Sequence, residues 1–429
     1  MCDESAATRP KLNLNSNAPP DTGRPHLRFV QLFQTALLAA IFALAPAATA
    51  QLKPEAQALR NFGAVLDDAS TAPDFVGLAV AVVRDGRIVL TKTYGVREAG
   101  SAEPITPDTV FRLASLSKGF AATLAVLEAR DGRFALSDPV SESVPQFRLR
   151  TAKDTAAVTV EDILSHRTGL PPFAFDNLLE AGVAPMEILG RYKTVKLICP
   201  VRECYAYQNS TFNMIVNVIE GATGKPFGEE LRVRLFEPLG LKTASLGVNG
   251  LRGTGNWARP HMRRDDVWSP VEVKEAYYKL PAAGGMNASI TDLARWVAAH
   301  MGANPEILPP EILANLSAPR IATPAETRRQ RILKTPVTNT HYGLGWRTYD
   351  YAGSRVVTHS GGVEGYFAQI AYLPDSKSGI VILSNTRGAR AGKILPTWLD
   401  HELGLPKTNW LRLDEIDGDS ADPAAPAGN

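Results

Sequence analysis

Apolar residues alternate most clearly near the two ends of the chain. In GLAVAVVRDGRIVLTKTYG, residues 77–95, the apolar run breaks at Asp85-Gly86 and resumes beyond it, which predicts a β-hairpin. A second strand pair is predicted in GYFAQIAYLPDSKSGIVILSN, residues 365–385, with its turn at about 374–379. Between these ends the spacing becomes helical, over residues 120–130, 212–220, 291–300 and 309–315. Further helices are predicted at 55–67 and about 395–403. Strands at both ends and helices in the middle predict an α/β fold. Its antiparallel-rich sheet is formed from both ends of the chain, with helices on its faces and an inserted, mainly helical subdomain. The expected parts are sheet regions at about 51–136 and 335–410, a helical insertion at about 137–334, and an acidic tail at 411–429. That tail is rich in Asp, Pro and Ala without apolar periodicity, the composition of a disordered segment.

The first fifty residues follow a different pattern. Arg24 and Arg28 precede FVQLFQTALLAAIFALAPAATAQ, whose unbroken apolar run spans only residues 36–45. A membrane-spanning helix takes about 20 apolar residues. Ala48-Thr49-Ala50 has the small-x-small form of a signal-peptidase site, so an export signal cleaved before Gln51 is expected. A retained N-terminal anchor is the alternative, and N-terminal sequencing of the exported protein separates the two. After cleavage no stable membrane span is expected, and the destination is the bacterial periplasm or the medium. Cys2 would leave with the signal. Cys199 and Cys204 remain, and in an exported protein such a pair is expected to form a disulfide. The alternative, a metal pair, lacks a neighbouring His or further Cys to complete a tetrahedral site.

Composition adds exclusions. With 46 Lys and Arg against 44 Asp and Glu the chain is nearly neutral, without a basic stripe or aromatic-basic interleaving, so no nucleic-acid partner is implied. The seven His are scattered with no H-x-x-x-H pair, so neither a metal nor another cofactor is expected. The partner implied is a small-molecule or peptidoglycan-like substrate; oligomeric state is not legible.

Three segments carry candidate chemistry. FRLASLSKGF, residues 111–120, sets Ser115 and Lys118 on one face if a helix starts near Ser115. A serine there feels the positive end of the helix dipole, and a lysine in an apolar wall loses proton affinity and can activate the hydroxyl. Alone, S-x-x-K is common by chance, with the serine a cap and the lysine a surface residue. CYAYQNSTFNMIVNVIE offers Tyr207 and Asn209 just before a helix. Tyrosine can serve as general base where cations depress its pKa, and the amide both donates and accepts. VVTHSGGVEGY places His359, Ser360, Gly361 and Gly362 after a β-branched run, where adjacent glycines admit a ligand close to the backbone. His166 in LSHRTGLP is a rival catalytic residue, read instead as structural, with Gly169 closing the helix before it. No G-x-S-x-G occurs, so the α/β-hydrolase elbow is absent.

In this order the three segments resemble the motifs of the penicillin-recognising serine hydrolases. These comprise class C β-lactamases, D,D-carboxypeptidases or penicillin-binding proteins, and β-lactamase-like esterases. LSDPVSESVPQF, VTVEDILSHRTGLP, AAGGMNASITDLARW and YGLGW look like the same family, and the resemblance spans roughly residues 75–385. It implies an α/β sandwich with a helical subdomain and a site in the cleft between them. By resemblance Ser115 is the nucleophile, and Lys118 and Tyr207 form the proton-transfer pair. Asn209 contacts the acyl side of the substrate. His359, Ser360 and Gly361 bind the leaving side or its carboxylate. The N–H groups of Ser115 and Gly362 form the oxyanion hole. The implied reaction cleaves an amide or ester through an acyl-serine, and the branches of the family remain open. A non-catalytic binding or sensing module is the distant alternative. Two departures stand out: His359 replaces the Lys of many class C enzymes, and Gln208 replaces the more familiar Ser. A histidine is only partly charged at neutral pH, so carboxylate binding through His359 is expected to depend on pH. Trp257, Trp268 and two tyrosines within residues 250–280 are expected either to line the cleft or to pack the subdomain.

Overall fold

The structure, a computed structural model, describes residues 54–413. The expected leader and export signal, and the acidic tail from residue 414, lie outside the described residues. Eight strands form one sheet: β1 (Gly77–Arg84), β2 (Arg87–Gly95), β3 (Ile321–Ala322), β4 (Val337–Tyr342), β5 (Arg347–Tyr351), β6 (Ser354–Val363), β7 (Tyr366–Leu373) and β8 (Ser378–Ser384). Their order is β2-β1-β8-β7-β6-β5-β4-β3, and every pairing is antiparallel. The two ends of the chain meet where β1 pairs with β8, for example Val80 opposite Ile382.

Strand periodicity explains the layers. In β1, Leu78, Val80 and Val82 join one core cluster, while Ala79, Ala81 and Val83 join the other. Both faces are therefore covered, which is why β1 and β8 read as nearly continuous apolar runs. On the outer face, helices Pro54–Ala69 and Ile394–Glu402 bring Phe62, Leu66, Trp398 and Leu399 onto the sheet. On the inner face lies the larger core, built around helices Ser117–Arg130, Ile215–Thr223 and Ile290–His300. Helix Ser117–Arg130 is buried from Ser117 to Glu128, so its sequence is apolar all round rather than striped. Phe120 stacks on Trp296 with ring centroids 3.9 Å apart.

The expected helices occur at Pro54–Ala69, Ser117–Arg130, Ile290–His300, Pro310–Ser317 and Ile394–Glu402. The one expected at 212–220 begins as a 3₁₀ turn, Phe212–Met214, and continues as Ile215–Thr223. The region between the sheet halves also holds short strands, among them Met286–Ser289, which pairs with Val110–Arg112. Among the described residues no helix is long and apolar enough to cross a membrane.

The register leaves part of β6 unpaired on one side. β5 pairs with β6 only as far as Arg347 opposite Thr358, whereas β7 accompanies β6 up to Val363 opposite Tyr366. Residues 359–363 therefore keep one open edge. Truncating the aromatic that props helix Ser117–Arg130 from the other side, Trp296→Ala, is expected to lower the unfolding free energy by about 3–5 kcal/mol in denaturant titration.

Candidate active site

Ser115 is placed by a turn that the backbone is forced into. Val110–Arg112 pairs with Met286–Ser289, and the Leu113 N–H donates to Met286 O at 2.9 Å. Ala114 then adopts φ +47°, a left-handed conformation that costs a non-glycine residue of order 1 kcal/mol. Ser117 locks the bend, donating to Ala114 O at 2.6 Å and accepting from the Met286 N–H at 3.0 Å. The 3₁₀ turn Ala114–Leu116 leads straight into helix Ser117–Arg130, so half-buried Ser115 sits at its N-terminal end.

Lys118 has no exposed surface. Its Nζ lies 3.3 Å from Ser115 Oγ, 2.8 Å from Asn209 Oδ1 and 2.8 Å from Ala283 O. Burial pushes its pKa well below the ordinary lysine value; the Asp176 carboxylate opposes that shift and the Arg347 guanidinium adds to it. A neutral amine has two N–H bonds and a lone pair. Asn209 Oδ1 and Ala283 O can take the two N–H bonds, which leaves the lone pair for the Ser115 hydroxyl.

Tyr207 and Asn209 come from the segment before the 3₁₀ turn Phe212–Met214. Lys118 Nζ stands 4.7 Å from the Tyr207 ring centroid. Burial pushes the Tyr207 phenol well above its usual pKa, and hydrogen bonding to Ser115 and the charge of Arg347 recover only part of the shift. The expected depression by cations is outweighed, so Tyr207 is a protonated phenol that can relay a proton, and Lys118 is the stronger candidate base. Asn209 Nδ2 donates to Asp176 Oδ2 at 2.6 Å while its Oδ1 accepts from Lys118. Gln208 turns away from the site and donates to Pro171 O.

The loop before Tyr207 is held from two sides. Cys199 and Cys204 are joined by a disulfide. The Ile198, Arg202 and Ala206 N–H groups donate to Gly169, Arg167 and His166 carbonyls. His166 is fully buried, with its ring 4.3 Å from that of Tyr207, and its Nδ1 accepts from the Gln208 N–H at 3.2 Å. Burial holds it neutral, its pKa well below the ordinary histidine value. Gly169 was expected to close the helix and does not: helix Val160–Leu164 ends earlier, and His166 already takes a left-handed φ of +58°. Gly169 is small because a Cβ there would stand 2.5 Å from Cys199 O.

The third segment lies on the open edge of β6. A Cβ on Gly361 would stand 2.1 Å from Leu113 O and 3.0 Å from Ser115 N, so only glycine lets the strand approach the Ser115 turn. His359 departs from its expected part. Its Nδ1 is 2.8 Å from Ser360 O, which can only accept, so Nδ1 carries the proton and Nε2 accepts from Tyr342 Oη at 3.0 Å. Burial, Arg347 and Lys118 all lower its pKa well below the usual value. A neutral ring with both nitrogens engaged has no N–H left for a carboxylate. Ser360, exposed on the opposite strand face, lines a groove of about 320 Å³ with Arg347, Thr358 and Gln369. Gly362, also exposed, follows on that same face.

Sequence reasoning missed Asp176, Tyr342 and Arg347. Arg347 places its guanidinium 5.5–5.8 Å from the ring centroids of Tyr342, Tyr207 and Tyr205, making it one permanent cation beside the third segment; Arg387, whose guanidinium lies against Gly362, is another. Its place directly after YGLGW was the available signal. Asp176 sits seven residues past Gly169 in no recognisable pattern. Of the aromatics in 250–280, Tyr277 reaches the site through Asp176 at 3.3 Å, whereas Trp257 packs with Val110, Leu251 and Val273. Among the described residues no group of three or more His, Cys, Asp or Glu could hold a metal ion.

Residues 59–403 match the family model described as Beta-lactamase. An unguisins hydrolase, ungD′, of Aspergillus campestris is 30% identical over 321 residues, covering 72% of this chain and 58% of that protein. Penicillin-binding protein 4 of Amycolatopsis lactamdurans is 27% identical over 356 residues, covering 81% of this chain and 89% of that one. This chain spans only 58% and 62% of the lengths of the two unguisins hydrolases it matches. Among solved structures, the octameric penicillin-binding protein homologue from Pyrococcus abyssi superposes with a TM-score of 0.70 at 23% identity, covering 81% of this chain and 78% of that one. EstCE1, a hydrolase with promiscuous acyltransferase activity, gives 0.66 at 19% identity, covering 81% and 98%. At such identities the structures speak for the fold.

Gly361→Ala tests the contact between the strand and the Ser115 turn. Turnover is expected to fall by about 100-fold or more, because a shift of about 1 Å at a reacting group has that effect, while circular dichroism keeps the native signature. Unchanged turnover would show that the close approach of Gly361 to the Ser115 turn is not needed for the reaction.

Proposed function

We propose that this chain, which belongs to the Beta-lactamase family, is an exported serine hydrolase that cleaves an amide or ester through an acyl-Ser115 intermediate, on a substrate with a carboxylate on its leaving side. The observation that carries the reading is the buried Lys118 amine, 3.3 Å from Ser115 Oγ and low in proton affinity. Neutral Lys118 takes the hydroxyl proton as Oγ attacks the carbonyl carbon. The oxyanion that forms is held by the N–H groups of Ser115 and Gly362. The Tyr207 phenol gives its proton to the departing nitrogen or oxygen and takes up the one that Lys118 gained, which restores both groups; a water then attacks the acyl-serine with Lys118 as base, and the proton returns to Ser115 Oγ as the acyl bond breaks. The carboxylate follows from Arg347, a cation whose charge does not depend on pH and whose guanidinium lies 5.6 Å from the Tyr207 ring centroid. Such a substrate is a β-lactam or a peptide ending in a free carboxylate. The apolar run before Gln51 supports export.

A second reading, a carboxylesterase for neutral esters, is favoured by the neutral His359. Intact mass after brief exposure to a penicillin, beside hydrolysis of a neutral nitrophenyl ester, separates the two. One penicillin added at Ser115 is the expected result; ester turnover without any adduct or drug consumption would select the esterase. Ser115→Ala should abolish both reactions with the fold intact, and retained turnover would remove Ser115 from its role. Lys118→Ala should lower turnover by about 10²–10⁴-fold. In the wild type, kcat/KM should rise with pH as Lys118 loses its proton, reaching its plateau well below the ordinary lysine value of 10.5.

A further inference from the structure

A hydrogen-bonded chain runs from the nucleophile into the subdomain: Ser115 Oγ, Lys118 Nζ, Asn209 Oδ1 and Nδ2, Asp176 Oδ2. The amide in the middle is the ambiguous link, since either end could face the lysine. Only its oxygen can accept from the amine. If Nδ2 faced Lys118 instead, two donors would oppose each other and the lone pair would no longer be reserved for Ser115. What decides the orientation is the group on the far side. A carboxylate can only accept, so it demands the amide nitrogen and thereby turns Oδ1 to Lys118.

We propose that Asp176 is a positioning residue for the reaction: by accepting from Asn209 Nδ2 it fixes the amide of Asn209 with its oxygen on Lys118, and so directs the Lys118 lone pair at Ser115. The proposal rests on the acyl-serine reading above and adds to it a residue outside the three motif segments. Asp176 is itself held at the base of a small polar array. It is 7% exposed and starts the helix Asp176–Glu180. The single O–H of Tyr277, from the segment Ala276–Lys279, is shared between two carboxylates, Glu180 Oε1 at 2.8 Å and Asp176 Oδ2 at 3.3 Å.

The carboxylate acts on the amine in a second way, through its charge. The charged and titratable groups around Lys118 are Asp176, Arg347, Ser115, Tyr207, His166 and His359. Those around Asp176 are Lys118, Glu180 and Tyr277. His166 and His359 are held neutral, so Asp176 is the negative charge that offsets Arg347 at the amine. Burial pushes the Asp176 carboxyl up to about 6, with the bonds from Asn209 and Tyr277 and the charge of Lys118 restraining it. Below that pH it gains a proton, becomes a possible donor, and loses its hold on the amide.

The two effects give opposite signatures in two variants. Asp176→Asn removes the charge, so Lys118 loses its proton more easily and the acid limb of kcat/KM moves to lower pH. Its plateau falls about 10–100-fold in kcat, with KM little changed, because the amide is no longer oriented. Tyr277→Phe keeps the carboxylate but removes a bond that favours its charged form. Asp176 should then take up its proton at higher pH, so the fall in kcat that follows loss of its hold on the amide should begin at higher pH, with a near-native plateau above it. Asp176→Glu should recover part of the kcat lost in Asp176→Asn. Rates are read with a nitrophenyl ester or penicillin, whichever the wild type consumes, and melting curves confirm folding.

Limbs that stay in place in both variants, with losses that track melting temperature, would reduce Asp176 to a structural role and overturn the proposal. A rise in KM alone would make it a substrate contact and overturn it equally. Should Asp176→Asn fail to fold, the upward shift in Tyr277→Phe still decides the matter. Ser115→Ala, measured in parallel, keeps the outcomes apart: turnover there would overturn the acyl-serine reading itself, whereas an inactive Ser115→Ala with unmoved limbs would overturn only the part assigned to Asp176.

Discussion

An ammonium group that leaves water for an apolar interior loses solvation worth several kcal/mol unless it sheds its proton or finds a counter-charge. Helix Ser117–Arg130 imposes that choice on Lys118, because the helix is buried almost from end to end. The nearest carboxylate, Asp176, is reached only through the Asn209 amide, and the permanent charge of Arg347 works in the opposite direction. The amine is therefore left between incomplete compensation and loss of its proton. Most of the site can be read as a consequence: two acceptors for its N–H bonds, a hydroxyl for its lone pair, and neutral rings of His166 and His359 that add no further positive charge.

The same burial fixes what the surrounding elements must do. The Ser115 turn is anchored to Met286–Ser289 through Leu113 and Ser117, so the hydroxyl cannot drift from the amine. β6 comes close enough only because Gly361 has no side chain, and its edge is open only because β5 stops pairing at Thr358. The disulfide and the hydrogen bonds from Ile198, Arg202 and Ala206 pin the loop that presents Tyr207. The elements are distant in sequence, yet each one limits the freedom of the same few atoms.

This explains which parts could be read in advance. The hairpins 77–95 and 365–385 and the long helices were legible because they bury whole faces, and burial writes periodicity into a sequence. β4 and β5 were not: VTNTHY and RTYDY mix polar groups among their buried positions and look like loop. Ser115, Lys118, Tyr207, Asn209 and the glycines stood out through spacing and resemblance. Asp176 and Arg347 did not, because each acts across space from an unremarkable local context. Reading the residues without their solvation also misjudged the electrostatics. His359 was given a carboxylate to hold, and Tyr207 a depressed pKa, since a sequence shows which residue is present but not how much water it has lost. Solvation decides both.

The proton on Lys118 is the most direct test of this account. In protein carrying ¹⁵N at the lysine Nζ, one resonance should be missing from the Lys118→Arg variant, which identifies it. The account predicts that this amine titrates well below 10.5, the ordinary lysine value, so that it is neutral where the enzyme works. Titration at the ordinary value would mean a charged Lys118 facing Ser115, and the amine could not then be the base.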